Sequence, residues 1–376
     1  MKKVIAISDS FKGTISSIET CEMIKKAFTR HFPDCQVVGI PVADGGEGTV
    51  ECFLYAIGGE KVPVTVSGPY FEKIDSFYAR IGDMAVIEMA AAAGLPMVED
   101  RKNPGATTTY GVGEMIRHAA QSGCKEIILG LGGSCTNDGG AGCAAGAGVV
   151  FRNAKGEEFV PTGFTLGEID SIDVSAAKEL LKGCKITVMY DIDNPLWGPT
   201  GAAYVFGPQK GADPAMVEQL DQQLRAFDKA IQKSLGIDIS TLPGGGAAGG
   251  MGAGMVALLG GQLKAGIETV LDAVDFDKVI SDADLIITGE GKLDSQSLRG
   301  KVVVGIAGRA KRQQKPVVAV VGDVGDGIEK VYDTGVTAVF SINRVAVPFS
   351  EAKHRSKRDY AETMEDIARF ARALVK

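Results

Sequence analysis

Apolar runs of strand length alternate with helical patterns in the first part of the chain. Residues 4–7 form one apolar run, and apolar residues then recur at helical spacing over about residues 17–30, after a Ser16 and Glu19 pair that fits a capping box. A second apolar run covers residues 37–42, and a second helical pattern follows it. Such alternation is typical of an α/β protein with a parallel sheet.

The same alternation returns near the carboxyl terminus. Apolar runs at residues 285–287, 316–321 and 338–340 predict buried strands, with helices between them and a final helix after about Tyr360. We expect these strands to share one sheet with the strands of the amino terminus.

The middle of the chain has a different pattern. Two alternating runs, at residues 74–79 and 84–89, flank a Gly-Asp turn and predict a hairpin, so antiparallel pairing enters here. Further strands are predicted at residues 126–129 and 186–190, and a long amphipathic helix over about residues 214–235.

These elements predict a two-domain α/β protein. We expect a flavodoxin-like or Rossmann-like parallel-sheet domain formed by both chain ends, residues 1–66 plus 258–376. A second α/β domain, residues 67–257, would be inserted into it. A cleft is expected between the two domains.

The composition limits the classes of molecule that the protein is expected to bind. The chain of 376 residues is 45% hydrophobic, and its net charge of −7 comes without a basic stripe, so no nucleic-acid partner is expected. The seven cysteines are scattered without a C-x-x-C pair, and no apolar segment suits an export signal or a membrane span. A cytoplasmic protein that binds small molecules is therefore predicted. The sequence leaves the oligomeric state open, with a homodimer among the options.

Polar loops follow the first two predicted strands. Asp9, Ser10 and Lys12 follow the first strand and are able to hold a hydroxy acid or a phosphate, although a solvated turn would also explain the lysine. Asp44 and Glu47 stand among three glycines before the second helix. Their spacing also fits a helix cap, but the glycines would let the backbone approach a ligand closely.

A longer glycine-rich loop, residues 130–142, joins an apolar strand to a helix of small residues. Backbone N–H groups at such a junction make an anion site suited to phosphates, and a tightly packed turn is the alternative. Cys135 has no histidine near it in sequence to act as a base, so it is interpreted as a packing residue. A second glycine-dense segment, residues 244–249, matches a dinucleotide fingerprint only formally.

The loop at residues 288–301 mixes glycine, acids, hydroxyls and lysines. Glu290 and Asp294 within it suit Mg²⁺ with an anionic substrate, because the metal and the lysines offset the charge of polyphosphate oxygens. Asp191 follows another predicted strand, where a carboxylate is a reasonable metal ligand or proton acceptor. Aspartate near a proline is also an ordinary turn former, so both interpretations stay open.

Several familiar catalytic patterns are missing from the sequence. It has no G-x-x-x-x-G-K-[ST] loop, no histidine pair at metal spacing and no G-x-S-x-G elbow. The remaining interpretation is an enzyme whose loops bind phosphate groups. An NAD(P)-dependent oxidoreductase is a weaker alternative because residues 8–16 hold a single glycine. A non-catalytic organic-acid-binding protein is another alternative.

Four sequence motifs occur, in order, across nearly the whole chain. They are D-S-F-K-G at residues 9–13, D-G-G-E-G-T at 44–49, G-L-G-G-S-C-T-N-D-G-G at 130–140, and G-E-G at 289–291 with Asp294, Gln296, Gly300 and Lys301. Together they resemble the type I glycerate kinase family. Cys135 stands where alanine is expected, a small change that affects no catalytic group.

The resemblance implies a phosphotransferase. It would move the γ-phosphoryl group of ATP to D-glycerate with Mg²⁺ and give 2-phosphoglycerate, and the 3-phosphoglycerate-forming reaction is the alternative. Lys12 would offset charge on the transferring group, Glu290 and Asp294 would hold Mg²⁺, and Asp44 or Asp191 would orient or deprotonate the attacking hydroxyl.

Two further sets of residues complete this hypothesis. The nucleotide phosphates would be held by Gly132, Gly133, Ser134, Thr136, Asn137, Gly244, Gly245 and Gly246. The substrate-binding residues would be Asp9, Ser10, Lys12, Asp44, Glu47, Gln296 and Lys301.

Overall fold

The computed structural model describes residues 1–11, 13–43, 45–294 and 302–375. The chain divides by its internal contacts into two compact units. Unit 1 contains residues 1–43, 51–58 and 267–376, and unit 2 contains residues 44–50 and 59–266.

Strands and helices alternate along most of the chain. The strands are β1 (Lys3–Ser8), β2 (Gln36–Pro41), β3 (Glu60–Ser67), β4 (Lys73–Ile81), β5 (Met84–Glu88), β6 (Glu126–Gly130), β7 (Val150–Arg152), β8 (Glu158–Phe159), β9 (Ser171–Asp173), β10 (Lys185–Tyr190), β11 (Gln262–Ala265), β12 (Leu285–Leu293), β13 (Val317–Val324) and β14 (Val336–Ser341). The α-helices are α1 (Ser17–His31), α2 (Thr49–Ile57), α3 (Ala90–Ala93), α4 (Tyr110–Gln121), α5 (Ala141–Gly146), α6 (Ser175–Leu180), α7 (Ala202–Phe206), α8 (Pro214–Leu235), α9 (Ala247–Leu259), α10 (Gly266–Ala273), α11 (Phe276–Val279), α12 (Val302–Arg312), α13 (Lys330–Asp333), α14 (Phe349–Ala352) and α15 (Ser356–Leu374). Short 3₁₀ helices cover Leu95–Arg101, Leu166–Glu168 and Pro208–Lys210.

Unit 1 is built on a five-stranded parallel sheet in the order β14-β13-β12-β1-β2. Val4 of β1 lies opposite Leu285 of β12, so the two chain ends share one sheet, as predicted. Counted within the unit from the β2 edge, the order is 2-1-3-4-5, the flavodoxin-like arrangement. Its topological switch point lies between β1 and β12, where such sheets bind ligands.

Helix α1 begins with the hydrogen bonds that its sequence predicts. Ser16 Oγ accepts a hydrogen bond from the backbone N–H of Glu19, and the Glu19 carboxylate accepts one from the backbone N–H of Ser16, at 3.2 and 2.9 Å. The predicted capping box is therefore confirmed. Behind it, the apolar face of α1 packs against α15, which begins at Ser356, before the predicted start near Tyr360.

Unit 2 is built on a six-stranded mixed sheet in the order β11-β10-β6-β5-β4-β3. Strands β5, β6, β10 and β11 run parallel, while β3 and β4 are antiparallel to their neighbours. The predicted hairpin joins β4 to β5, with Ile81 opposite Met84. Strand β3 was not predicted. It contains Pro63, which an edge strand tolerates because one side of such a strand makes no ladder hydrogen bonds.

The remaining parts of unit 2 include a small sheet and the long helix α8. Strands β7, β8 and β9 form an antiparallel three-stranded sheet. Helix α8 begins as predicted, since Asp213 Oδ1 accepts a hydrogen bond from the Met216 N–H at 2.8 Å and Pro214 occupies the first helical position.

The domain boundaries expected at residues 67 and 257 stay a prediction. Among the described residues, no helix combines the length and the apolarity that crossing a membrane requires.

Candidate active site

In unit 2, two of the predicted glycine loops pack directly against each other. The N–H of Gly132 donates to the carbonyl of Gly45 at 2.9 Å. A Cβ atom added to Gly132 would lie 2.4 Å from the Cα of Gly46, so a larger residue would separate the loops. The structure thus brings residues 45–49 together with residues 130–140, the loop that follows β6.

The 45–49 loop is anchored by a buried carboxylate that the sequence analysis missed. Glu88, the last residue of β5, accepts a hydrogen bond from the Val50 N–H at 2.6 Å. The Thr49 hydroxyl closes the loop by donating to the Gly46 carbonyl at 2.7 Å. Glu47, predicted to bind substrate, is exposed beside these contacts.

The 244–250 segment also reaches the 130–140 loop. The Gly139 N–H donates to the Gly249 carbonyl at 3.0 Å, and a Cβ atom on Gly249 would lie 2.1 Å from the carbonyl oxygen of Thr136. On its other side, the Gly246 N–H donates to the Asn194 carbonyl at 2.9 Å. The two glycine segments predicted to hold nucleotide phosphates are therefore neighbours in space.

A fully buried carboxylate fixes the base of the 130–140 loop. Asp138 Oδ2 accepts hydrogen bonds from the N–H and the hydroxyl of Thr109, both at 2.8 Å, and Oδ1 accepts one from the Gly140 N–H at 3.1 Å. Burial raises the pKa of the Asp138 carboxyl, and these hydrogen bonds act in the opposite direction. The loop is thereby tied to the start of α4.

A buried lysine holds the centre of the same loop. Lys210 Nζ donates to the Ser134 hydroxyl and to the Thr136 carbonyl, each at 2.7 Å. Burial lowers the pKa of Lys210 to about 8, against the opposing influence of Cys135 and Asp138. No local pattern indicates a role for this lysine, because its partners lie more than 70 residues away along the chain.

The 130–140 loop also contains buried polar atoms without a protein partner. Thr136 Oγ1 and both side-chain amide atoms of Asn137 lack a hydrogen-bond partner within the described residues. Buried polar groups are nearly always paired, so water or a ligand must satisfy them. Cys135 directly precedes Thr136, and burial raises the pKa of its thiol to about 12, which fits a packing residue and not a nucleophile.

Asp191 follows β10, the strand that pairs with β6 at Gly130, where the 130–140 loop begins. It is exposed. The segment after it is anchored at Trp197, whose Nε1–H donates to Asp228 at 3.2 Å and whose ring lies 4.0 Å below the Arg225 guanidinium. The carboxylate therefore stands on a segment that is fixed at its far end.

Unit 1 places another group of predicted residues at its switch point. The Asp9 N–H donates to the Gly289 carbonyl at 3.0 Å, and the Asp9 side chain accepts from the Ser10 N–H at 2.6 Å. Glu290, next along β12, is buried, and Asp294 follows the end of that strand and is half-buried. The carboxyl ends of β1 and β12 therefore carry three of the predicted residues. Asp9 and Ser10 follow β1, and Glu290 lies near the end of β12.

Four predicted site residues lie outside the described residues. They are Lys12, Asp44, Gln296 and Lys301. Within the described ranges, no group of three or more acidic, histidine or cysteine side chains is arranged to hold a metal ion. The Mg²⁺ site expected at Glu290 and Asp294 stays a prediction.

The amino-acid sequence matches known proteins along most of the chain. Residues 4–372 match the sequence profile of the glycerate kinase family. The chain belongs to that family. Glycerate kinase from Bacillus cereus (strain ATCC 10987 / NRS 248) is 47% identical over 97% of each chain, and glycerate 2-kinase from Escherichia coli (strain K12) is 45% identical over 90% of each chain.

A solved structure extends the likeness from the sequence to the fold. A Salmonella typhimurium LT2 protein assigned as glycerate kinase 2 has a crystal structure that superposes with a TM-score of 0.87 at 42% identity. The superposition covers 99% of this chain and 98% of the other. The flavodoxin-like arrangement with a second α/β unit is therefore shared with a glycerate kinase relative.

Proposed function

We propose that this glycerate kinase transfers the γ-phosphoryl group of ATP to the 2-hydroxyl of D-glycerate, giving 2-phospho-D-glycerate and ADP. The observation that carries the proposal is the 130–140 loop, where a buried lysine and buried, unpaired polar atoms line a strand-to-helix junction. The choice of hydroxyl is supported by the relative named glycerate 2-kinase.

The unit 2 loops are proposed to hold the triphosphate. Glycine amides at the junction can donate to phosphate oxygens, and the unpaired Thr136 hydroxyl and Asn137 amide suit the same oxygens. ATP therefore fits the groups present. The proposed nucleotide-binding residues remain Gly132, Gly133, Ser134, Thr136, Asn137, Gly244, Gly245 and Gly246.

The carboxylates of unit 1 are proposed to hold Mg²⁺. Mg²⁺ in phosphotransferases is bound by one or two carboxylates and completes its shell with phosphate oxygens and water, so the pair Glu290 and Asp294 fits its needs. When bound, the ion neutralises charge on the phosphate oxygens. Asp9 and Ser10 at the switch point are proposed to bind glycerate, a role that the family resemblance extends to Lys12, Glu47, Gln296 and Lys301.

The attacking hydroxyl needs a group that orients it and accepts its proton. Asp191 is proposed for this role because its carboxylate is exposed at the end of β10. Asp44 is the second candidate. Phosphoryl transfer depends mainly on positioning and charge stabilisation, so the proton acceptor supplies only part of the rate.

A coupled assay of ADP release tests the proposal. ADP should form with D-glycerate as acceptor, and not with an acid of the same charge that lacks hydroxyl groups, such as propionate. In a thermal-shift assay the protein should respond to Mg-ATP as well as to D-glycerate. A response to the acid alone would favour a binding protein, and binding of a nicotinamide dinucleotide would favour an oxidoreductase.

The cellular location belongs to the same proposal. A cytoplasmic location is supported by the seven cysteines, which are scattered along the chain and form no disulfide. Fractionation of the native host with an antibody to this chain would test it.

A further inference from the structure

Lys210 is a buried lysine whose hydrogen-bond acceptors, among the described residues, are neutral. It ends the 3₁₀ helix Pro208–Lys210 and is 2% exposed. In the part of the chain that the structure describes, its Nζ donates only to Ser134 Oγ and to the Thr136 carbonyl, both neutral, and no carboxylate forms an ion pair with it.

Burying a charged ammonium without a carboxylate is unfavourable, because neutral acceptors replace only part of its hydration. An ammonium has three N–H groups, and two of them are used here. The two contacts that it makes are both to the 130–140 loop. That loop also carries the Thr136 hydroxyl and the Asn137 amide, neither of which has a hydrogen-bond partner in the described part of the chain. A positive charge and the hydrogen-bond donors of Thr136 and Asn137 at one glycine-rich junction together favour the binding of an anion.

We propose that Lys210 is a positioning residue for the nucleotide phosphates. Its ammonium fixes Ser134 and Thr136 in the conformation that presents the loop, and its charge stabilises a phosphate group bound on the other side of the loop. This inference rests on the proposed role of the loop in nucleotide binding. It adds a residue that neither the loop motifs nor the family resemblance supplied.

The replacement Lys210→Met tests the inference, because methionine keeps the length and removes the charge. Lys182→Met is the matched control, since Lys182 lies in the same unit and is exposed. Isothermal titration with Mg-ADP should show affinity weakened about tenfold or more in K210M and unchanged in K182M. In steady-state assays K210M should raise KM for ATP and leave KM for D-glycerate within about twofold of the wild type.

The outcomes separate this inference from the proposed function. A folded K210M protein that binds Mg-ADP as the wild type does would overturn the inference alone. An equal rise in KM for both substrates would also overturn it, because it would indicate a general structural defect. A wild-type protein that binds no nucleotide would overturn the proposed function, and this inference with it.

A second measurement does not depend on whether K210M folds. The wild-type affinity for Mg-ADP should fall several-fold between about pH 7.5 and pH 9.5, a range in which the ADP phosphates are already ionised. The titratable groups that act on Lys210 are Cys135, with a thiol pKa of about 12, and Asp138, a carboxyl buried behind the loop. The K182M control should follow the wild-type curve. An affinity that stays constant over this range would contradict the role of the charge.

Discussion

At the scale of single residues, burial and hydrogen bonding separate acids with a structural role from acids proposed for chemistry. Asp138 is fully buried and its two oxygens accept three hydrogen bonds from Thr109 and Gly140, so it serves the loop. Asp191 is exposed at the end of a strand, where it can meet a substrate. Both are aspartates in polar turns, and only the fold separates the structural role of Asp138 from the role proposed for Asp191.

Replacing Asp191 with asparagine should lower kcat by about 10²- to 10⁴-fold, because the proton acceptor is lost while the shape is kept. The melting temperature should stay within about 2 °C of the wild type, since an exposed side chain contributes little stability. Asp193→Asn is the matched control, as Asp193 is also exposed on the same segment. Near-normal turnover of D191N would transfer the proposed role to Asp44.

The stability of the chain should depend on pH through Lys210. Its pKa falls from the ordinary 10.5 to about 8 in the folded chain, so between these values the unfolded chain binds more protons. The free energy of unfolding contributed by this residue should therefore rise with pH across that window, by roughly 3 kcal/mol. Denaturant titrations at several pH values measure this. A wild-type minus K210M difference that does not change with pH would contradict the prediction.

At the scale of elements, close packing of small residues shapes the unit 2 loops. Gly132 and Gly249 each stand where a Cβ atom would meet backbone atoms of a neighbouring loop. Backbone atoms cannot move aside cheaply, so glycine is required at these two places. The glycines at these two positions are thus a consequence of loops packed on loops.

The replacement Gly249→Ala should destabilise the protein by about 2 kcal/mol or more, because its Cβ would lie 2.1 Å from the Thr136 carbonyl oxygen. It should also weaken binding of Mg-ADP, since the clash displaces the 130–140 loop. Gly308→Ala is the control: Gly308 lies in α12 with open space around it, so alanine should stabilise by about 0.5–1 kcal/mol. Equal stability of the two variants, measured by urea unfolding, would argue against the packing role of Gly249.

Elements with local signals could be predicted from the sequence, and those set by distant contacts could not. The capping box at Ser16 and the hairpin between β4 and β5 depend on neighbouring residues, and both are confirmed. Strand β3 was missed because Pro63 weakens the strand pattern, and strands β7 to β9 are only two or three residues long, too short to show a period. Glu88 and Lys210 gave no signal because their partners come from other loops.

At the scale of the whole molecule, the family membership and the strand order both support the predicted α/β fold. The predicted parallel sheet from both chain ends is confirmed, with β1 paired to β12. Each unit carries one part of the proposed chemistry: the phosphate loops in unit 2 and the carboxylates Glu290 and Asp294 in unit 1. The substrate could be named only through family resemblance, because loops that suit phosphates and hydroxy acids do not specify glycerate.

The metal requirement can be tested on the whole enzyme. Glu290→Gln should raise the free Mg²⁺ concentration needed for half-maximal rate by roughly tenfold or more, because a neutral amide is a weaker ligand than a carboxylate. Asp282→Asn is the control, as Asp282 is an exposed acid of the same unit that pairs with Lys3. An unchanged Mg²⁺ dependence of E290Q would remove Glu290 from the proposed metal site.

The central claim is transfer of a phosphoryl group from ATP to the 2-hydroxyl of D-glycerate. Proton-coupled ³¹P NMR of the complete reaction tests it most directly. The account predicts loss of the γ-phosphate signal of ATP and a new monoester doublet, because the 2-phosphate couples to one proton on its carbon. A triplet, from coupling to two protons, would identify 3-phosphoglycerate and contradict the proposed position, and the absence of any new monoester would contradict the kinase reaction itself.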